Sequence, residues 1–139
     1  MVQIIRVSAG ILTRPSQLLI CQRRADDLHA LKWEFPGGKL TNGENDAACL
    51  QRELQEELGI QASIGTELYR TSHTYCTDRS VALTFFHIPA FQGQLVNHVF
   101  ETLAWVKPAQ LRQYDFLAGN TELVTLLARG HWNSLFSMQ

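Results

Sequence analysis

Apolar residues come in two kinds of run along this chain. Gln3–Thr13 and Gln17–Arg23 are rich in Ile, Val and Leu and meet at Arg14-Pro15-Ser16, which predicts two strands joined by a tight turn. Residues 24–34 are polar and are predicted as a loop, followed by Phe35-Pro36-Gly37-Gly38, a backbone breaker where the chain can approach a ligand closely. The spacing changes at residues 45–58. There Ala47, Leu50, Leu54 and Leu58 recur at helical intervals, with Gly59 as the stop. Residues 66–76 and 80–88 predict two more strands, joined near Thr77-Asp78-Arg79, and 102–107 a further one. A short helical piece follows from Pro108 to about Gln113, then a last helix from Asn120 to Arg129 before Gly130. Strands and helices mix without a regular βαβ alternation, so the expected class is α/β with a mixed sheet flanked by helices.

Composition narrows the setting. At 139 residues, 45% of them hydrophobic, the chain fits a single domain spanning 1–139 with an ordinary core. A net charge of −1 provides no global field toward a nucleic acid polymer or a membrane, so an anionic ligand must be held by local groups or by metal. No run approaches the ~18 apolar residues of a membrane span, and the apolar N-terminus is interrupted by Arg6 and reads as a strand. Cys21, Cys49 and Cys76 lack metal or redox spacing and read as reduced thiols. A cytoplasmic protein, monomeric or weakly dimeric, is expected.

Against that neutral background, Glu53, Glu56 and Glu57 fall within five residues. At about 100° per residue they share an arc roughly 100° wide, beside the Leu50, Leu54 and Leu58 stripe. Three close carboxylates repel one another, and only Arg52 sits nearby to relieve them. Such a cluster suits a hard divalent cation that takes oxygen ligands, and so suits phosphate chemistry. Taken alone it more often describes a solvated acidic helix face. The flanking residues decide between the two. Gly38, Glu44, Arg52-Glu53-Leu54, Glu56-Glu57 and Gly59-Ile60 stand at the spacing G-x5-E-x7-R-E-U-x-E-E-x-G-U, with U aliphatic. Seven identities at about one chance in fifteen each give about 10⁻⁸ per position.

This segment, residues 38–60, resembles the Nudix box. The resemblance implies a Nudix fold, an α/β/α sandwich around a mixed central β-sheet, and hydrolysis of a nucleoside diphosphate linked to another group. It implies Glu53, Glu56, Glu57 and a backbone carbonyl at Gly37 or Gly38 as metal ligands, for Mg²⁺ with Mn²⁺ as the alternative. Glu53 is also the favoured general base, Arg52 orients it, and Glu44 supports the loop.

Similarity to the MutT-type members extends through Arg23-Arg24 to His29 and Trp33 to Lys39. It implies a nucleoside triphosphate substrate. Phosphate contacts fall to Arg24 or its neighbour Arg23, and further contacts to His29, Lys39, Arg79, and the pocket wall at Phe35 and Gly37. Asn120 matches a base-reading Asn, although it is also a good helix N-cap; an amide offers both donor and acceptor to a purine edge. Two positions that are Phe in that pattern are Leu28 and Cys76 here, with Tyr75 adjacent, and a loop Glu is replaced by Val99, with Glu101 two residues on. The expected activity is release of a monophosphate and pyrophosphate, from 8-oxo-dGTP first and from CTP and related cytosine nucleotides as the alternative. A non-catalytic nucleotide-sensing module would be expected to lose box glutamates, and all four are present. A nucleotide sugar or dinucleotide is the remaining competitor.

Overall fold

In β2 (Gln17–Gln22) four consecutive side chains are fully buried, because both faces of its sheet are covered. Leu18 and Ile20 enter one core; Leu19 and Cys21 enter the other. A computed structural model describes residues 3–137, apart from the side chain of Cys76. Its central element is β1 (Gln3–Arg14), which pairs antiparallel with β2 and with β4 (Gly37–Lys39), and parallel with β7 (Arg79–Ile88). β3 (Trp33–Glu34) and β9 (Thr102–Val106) join β2, and β6 (Glu67–Cys76) forms the far edge beside β7. The sheet is thus mixed. Helix α1 (Asp46–Leu58) covers one face through Leu50, Leu54 and Leu58, and α2 (Thr121–Ala128) the other through Leu123, Val124 and Leu127. The α/β/α sandwich read from the sequence is therefore present.

Helix α1 is fixed at both ends. The Asn45 side chain accepts from the Ala48 N–H at 2.8 Å, and Gly59 closes the helix in the left-handed region at φ 69°. Ser8, fully buried on β1, donates to Asp46 at 2.7 Å and ties the helix start to the central strand. At the other end Val96 and His98 donate their backbone N–H groups to the carbonyls of Leu58 and Glu57 at 2.9 and 3.0 Å. The residues after β8 (Ala90–Gln92) therefore strap the helix C-terminus.

Four short strands differ from the sequence reading. The polar segment 24–34 ends in β3, and the Pro-Gly-Gly breaker runs directly into β4. β5 (Gln61–Ser63) pairs with β8 in a separate ribbon. Each is two or three residues long, too short to show periodicity, and exists because a partner strand supplies its hydrogen bonds. The last stretch, 130–139, unassigned from sequence, holds a 3₁₀ turn at Asn133–Phe136, and the Phe136 carbonyl accepts from the Ser16 N–H at 3.0 Å; residues 138 and 139 lie outside the described residues. Among the described residues no helix is long and apolar enough to cross a membrane.

Gly37 is where this architecture is least tolerant. It adopts φ 153°, and a Cβ there would lie 2.0 Å from the Ser8 carbonyl oxygen and 2.7 Å from Ala9 Cα, backbone atoms that cannot step aside. Gly37→Ala is expected to cost about 2 kcal/mol or more by separating β4 from β1. Urea unfolding measures this, and a midpoint within error of the parent would show that the pairing yields more easily than its geometry implies.

Candidate active site

The β4 backbone lies against the carboxylates of α1. A Cβ on Gly38 would fall 2.3 Å from the Glu53 carboxyl carbon, so the space of a side chain at 38 is already filled by Glu53. The Gly37 N–H donates to Glu57 at 3.0 Å, and the Gly38 carbonyl accepts from the Cys49 thiol at 3.4 Å. Two consecutive glycines are what allow a strand to approach a helix this closely.

Arg52 gathers the acidic groups. It donates to Glu44 at 2.6 and 3.0 Å, to Glu53 at 2.8 Å, to Glu56 at 3.3 Å and to the Lys39 carbonyl at 3.1 Å. Glu44 in turn accepts from the Thr41 N–H. The hydrogen bonds from Arg52, then from Thr41, hold the Glu44 carboxyl down at about 2. The guanidinium itself is pushed further up by Glu44 and Glu53. Glu57 lies outside this relief. Burial, reinforced by the Glu53 carboxylate, pushes it up to about 9 despite the Gly37 N–H. Burial also raises Glu53, against the pull of Arg52.

These groups open onto a cavity of about 770 Å³. Of the residues expected from sequence, Glu53, Glu56, Glu57, Gly37, Gly38, Lys39, Arg23, Arg24, His29, Phe35, Arg79 and Asn120 all line it. Arg52 and Glu44 stand behind the lining and act on it through Glu53. Arg23 lines the cavity with its guanidinium committed to Asp27 at 2.7 and 2.9 Å and to Glu34 at 3.2 Å. It braces the loop after β2 and leaves Arg24, exposed on that loop, as the more available cation. Phe35 is 3% exposed, stacked on Phe116 and edge-on to Phe85, so it is mainly floor. Trp33 packs edge-on against Tyr114 and does not line the cavity. Glu101 accepts from the Ala25 N–H at 3.3 Å and is also absent from the lining, where Val99 and Phe100 stand instead.

Asn120 is the position where two readings competed. It precedes α2 and is only 4% exposed, yet its side chain makes no capping hydrogen bond. A buried amide at a helix start, free of the cap it could make and lining a cavity, is available to a ligand.

Glu34 was missed. It lies on β3, lines the cavity and pairs with Arg23, and burial pushes its carboxyl up to about 7. The signal was a lone acid inside the apolar run Trp33-Glu34-Phe35.

For a divalent cation the donor chemistry fits: three carboxylates and the neighbouring Gly38 carbonyl are hard oxygen ligands, and two of the acids are held above their ordinary range by burial and mutual repulsion. The side chains do not yet converge; among the described residues no three acidic, His or Cys groups are placed to hold an ion as they stand, since Arg52 engages Glu53 and Glu56.

Comparison with known proteins places the chain. The family described as NUDIX domain matches residues 4–127. The chain is 37% identical over 123 residues to a CTP pyrophosphohydrolase of Escherichia coli K12, covering 88% of this chain and 90% of that protein. It is 29% identical to the 8-oxo-dGTP diphosphatase of the same organism, covering 90% and 97%. Among solved structures, the solution structure of the E. coli ORF135 protein superposes with a TM-score of 0.84 at 32% identity, over 95% of this chain and 94% of that one.

The raised Glu57 has a consequence for stability. Between its ordinary 4.5 and about 9, the folded chain keeps a proton that the unfolded chain has released, so stability falls as pH rises. Glu34 contributes only up to about 7, while Glu57 continues to contribute up to about 9. Metal-free protein is expected to lose up to about 1.4 kcal/mol per pH unit between those values, and Glu57→Gln to flatten that slope. Melting temperatures across the window test this; an equally steep fall in the variant would place the titration elsewhere.

Proposed function

The chain belongs to the Nudix hydrolase family, and we propose that it is a Mg²⁺-dependent nucleoside triphosphate pyrophosphohydrolase, releasing a monophosphate and pyrophosphate. The observation that carries this reading is one cavity lined both by the box carboxylates and by Arg24, Lys39, Arg79 and the uncapped amide of Asn120. Glu53, Glu56, Glu57 and the Gly38 carbonyl would hold the cation, with Mn²⁺ as a substitute. When bound, the cation supplies charge neutralisation at the phosphate oxygens.

The remaining work falls to the chain's own groups. Glu53 takes the proton of the attacking water, and its raised pKa makes it the stronger base. The Arg52 N–H, 2.8 Å from Glu53, fixes the direction in which that carboxylate points. Glu44 holds Arg52 from the other side. Arg24, Lys39 and Arg79 are exposed cations suited to the triphosphate. Attack in line at the α- or β-phosphorus breaks the anhydride between those two, and the oxygen of the water completes one of the two products, the monophosphate or the pyrophosphate.

For the base, the Asn120 amide suits the O6/N7 edge of a purine, so 8-oxo-dGTP heads the substrates. A second reading, cytosine nucleotides, is favoured by the 37% identical relative named for CTP and by Leu28, an aliphatic side chain at the cavity mouth.

Two substitutions test this reading. Glu53→Gln should lower kcat by about 10²–10⁴-fold while leaving the unfolding midpoint close to the parent's; near-parental turnover would remove Glu53 as the base. Asn120→Ala should reduce kcat/KM for 8-oxo-dGTP more than for CTP. Equal losses, with products resolved by ion exchange, would deny the amide any purine-specific role.

A further inference from the structure

The cavity has an aromatic wall that the box does not account for. Three Phe or Tyr side chains line it, and two are committed elsewhere: Phe35 is stacked into one core and Phe100 is buried in the other. Tyr75 is the third and is 36% exposed. It lies in β6 where the pairing with β7 slips, between Thr74 opposite Ser80 and Cys76 opposite Arg79. Such a bulge bends a strand and re-aims its side chains.

The ring is held on several sides. His73 meets it edge-on at 4.3 Å, and His29, from the loop after β2, approaches to 5.8 Å. Its hydroxyl abuts Gly119, 3.0 Å from where a Cβ at that position would sit. Gly119 immediately precedes Asn120, so the contact sets the ring and the buried amide relative to each other.

We propose that Tyr75 is a specificity-determining residue whose ring supplies the flat face on which the substrate's base lies; this rests on the nucleotide reading above. Stacking on an aromatic face is tolerant of which base it receives, because every base has a π-face. The ring therefore distinguishes a nucleotide from a bare polyphosphate, while the choice among bases is left to the amide. The two roles predict different patterns of loss.

The test is calorimetric binding of the full chain to methylene-bridged, non-hydrolysable analogues of dGTP and dCTP and to a methylene-bridged tripolyphosphate. Tyr75→Leu should weaken both nucleotides about tenfold and leave tripolyphosphate unchanged. Tyr75→Phe keeps the ring and should stay within about threefold of the parent for all three. Unchanged nucleotide affinity in Tyr75→Leu overturns the proposal; so does an equal loss for tripolyphosphate, which a merely structural residue would produce. If Tyr75→Leu does not fold, Tyr75→Trp takes its place: the larger face should tighten the nucleotides alone, and an unchanged ratio to tripolyphosphate overturns the proposal. Monophosphate and pyrophosphate release by the parent is followed separately. Its absence would defeat the proposed activity, while the affinity ratio would still decide Tyr75.

Discussion

Everything at this site depends on a strand backbone lying against a row of helix carboxylates. Gly38 has no side chain because the Glu53 carboxyl fills the space one would need, and Gly37 has none because the β1 backbone does. The approach brings a backbone N–H to Glu57 and places the Gly38 carbonyl beside the acidic face. Both ends of α1 are then tied down, by Asn45 and Ser8–Asp46 at the start and by the strap from Val96 and His98 at the end. A helix free to slide or rotate would lose the register that this contact requires.

Bringing the acids together raises an electrostatic problem that the protein solves only in part. Arg52 neutralises the outer members and is itself held by Glu44. Glu57, packed inside against the Gly37 amide, receives no such cation among the described residues and is driven toward its protonated form. The unrelieved part is what a divalent cation would relieve, so family membership and the donor set point the same way. A second acid–base group, Arg23 with Glu34 and Asp27, is internally matched and serves to shape the loop that carries Arg24, Leu28 and His29.

Much of this was legible in the sequence where a residue's environment follows from its neighbours along the chain. The stripe of Leu50, Leu54 and Leu58 and the stop at Gly59 fixed helix α1, and the box spacing fixed the acidic face. The runs in β1, β2, β6, β7 and β9 are long enough to declare themselves. Features made by partners distant in the chain were not legible. Gly37–Lys39 has no strand character of its own and becomes β4 by pairing with Val7–Ala9. Arg23 and Arg24 are adjacent and alike, and only the positions of Asp27 and Glu34 separate the half-buried brace from the exposed cation, which meets Asp26 at 3.5 Å. Asn120 is a good cap by residue type, and only the structure shows that its side chain makes no capping bond.

The parallel pairing of β1 with β7 joins residues 3–12 to residues 79–88, across most of the intervening chain. Closing so long a separation carries an entropic cost that local contacts do not repay. The same pairing brings Val7 and Ala9 together with Val81 and Leu83 on one wall of the cavity. A ligand of this cavity binds a wall assembled from residues far apart in the sequence, so it favours the folded chain and shifts the unfolding equilibrium by RT ln(1 + L/Kd), with L the free ligand concentration.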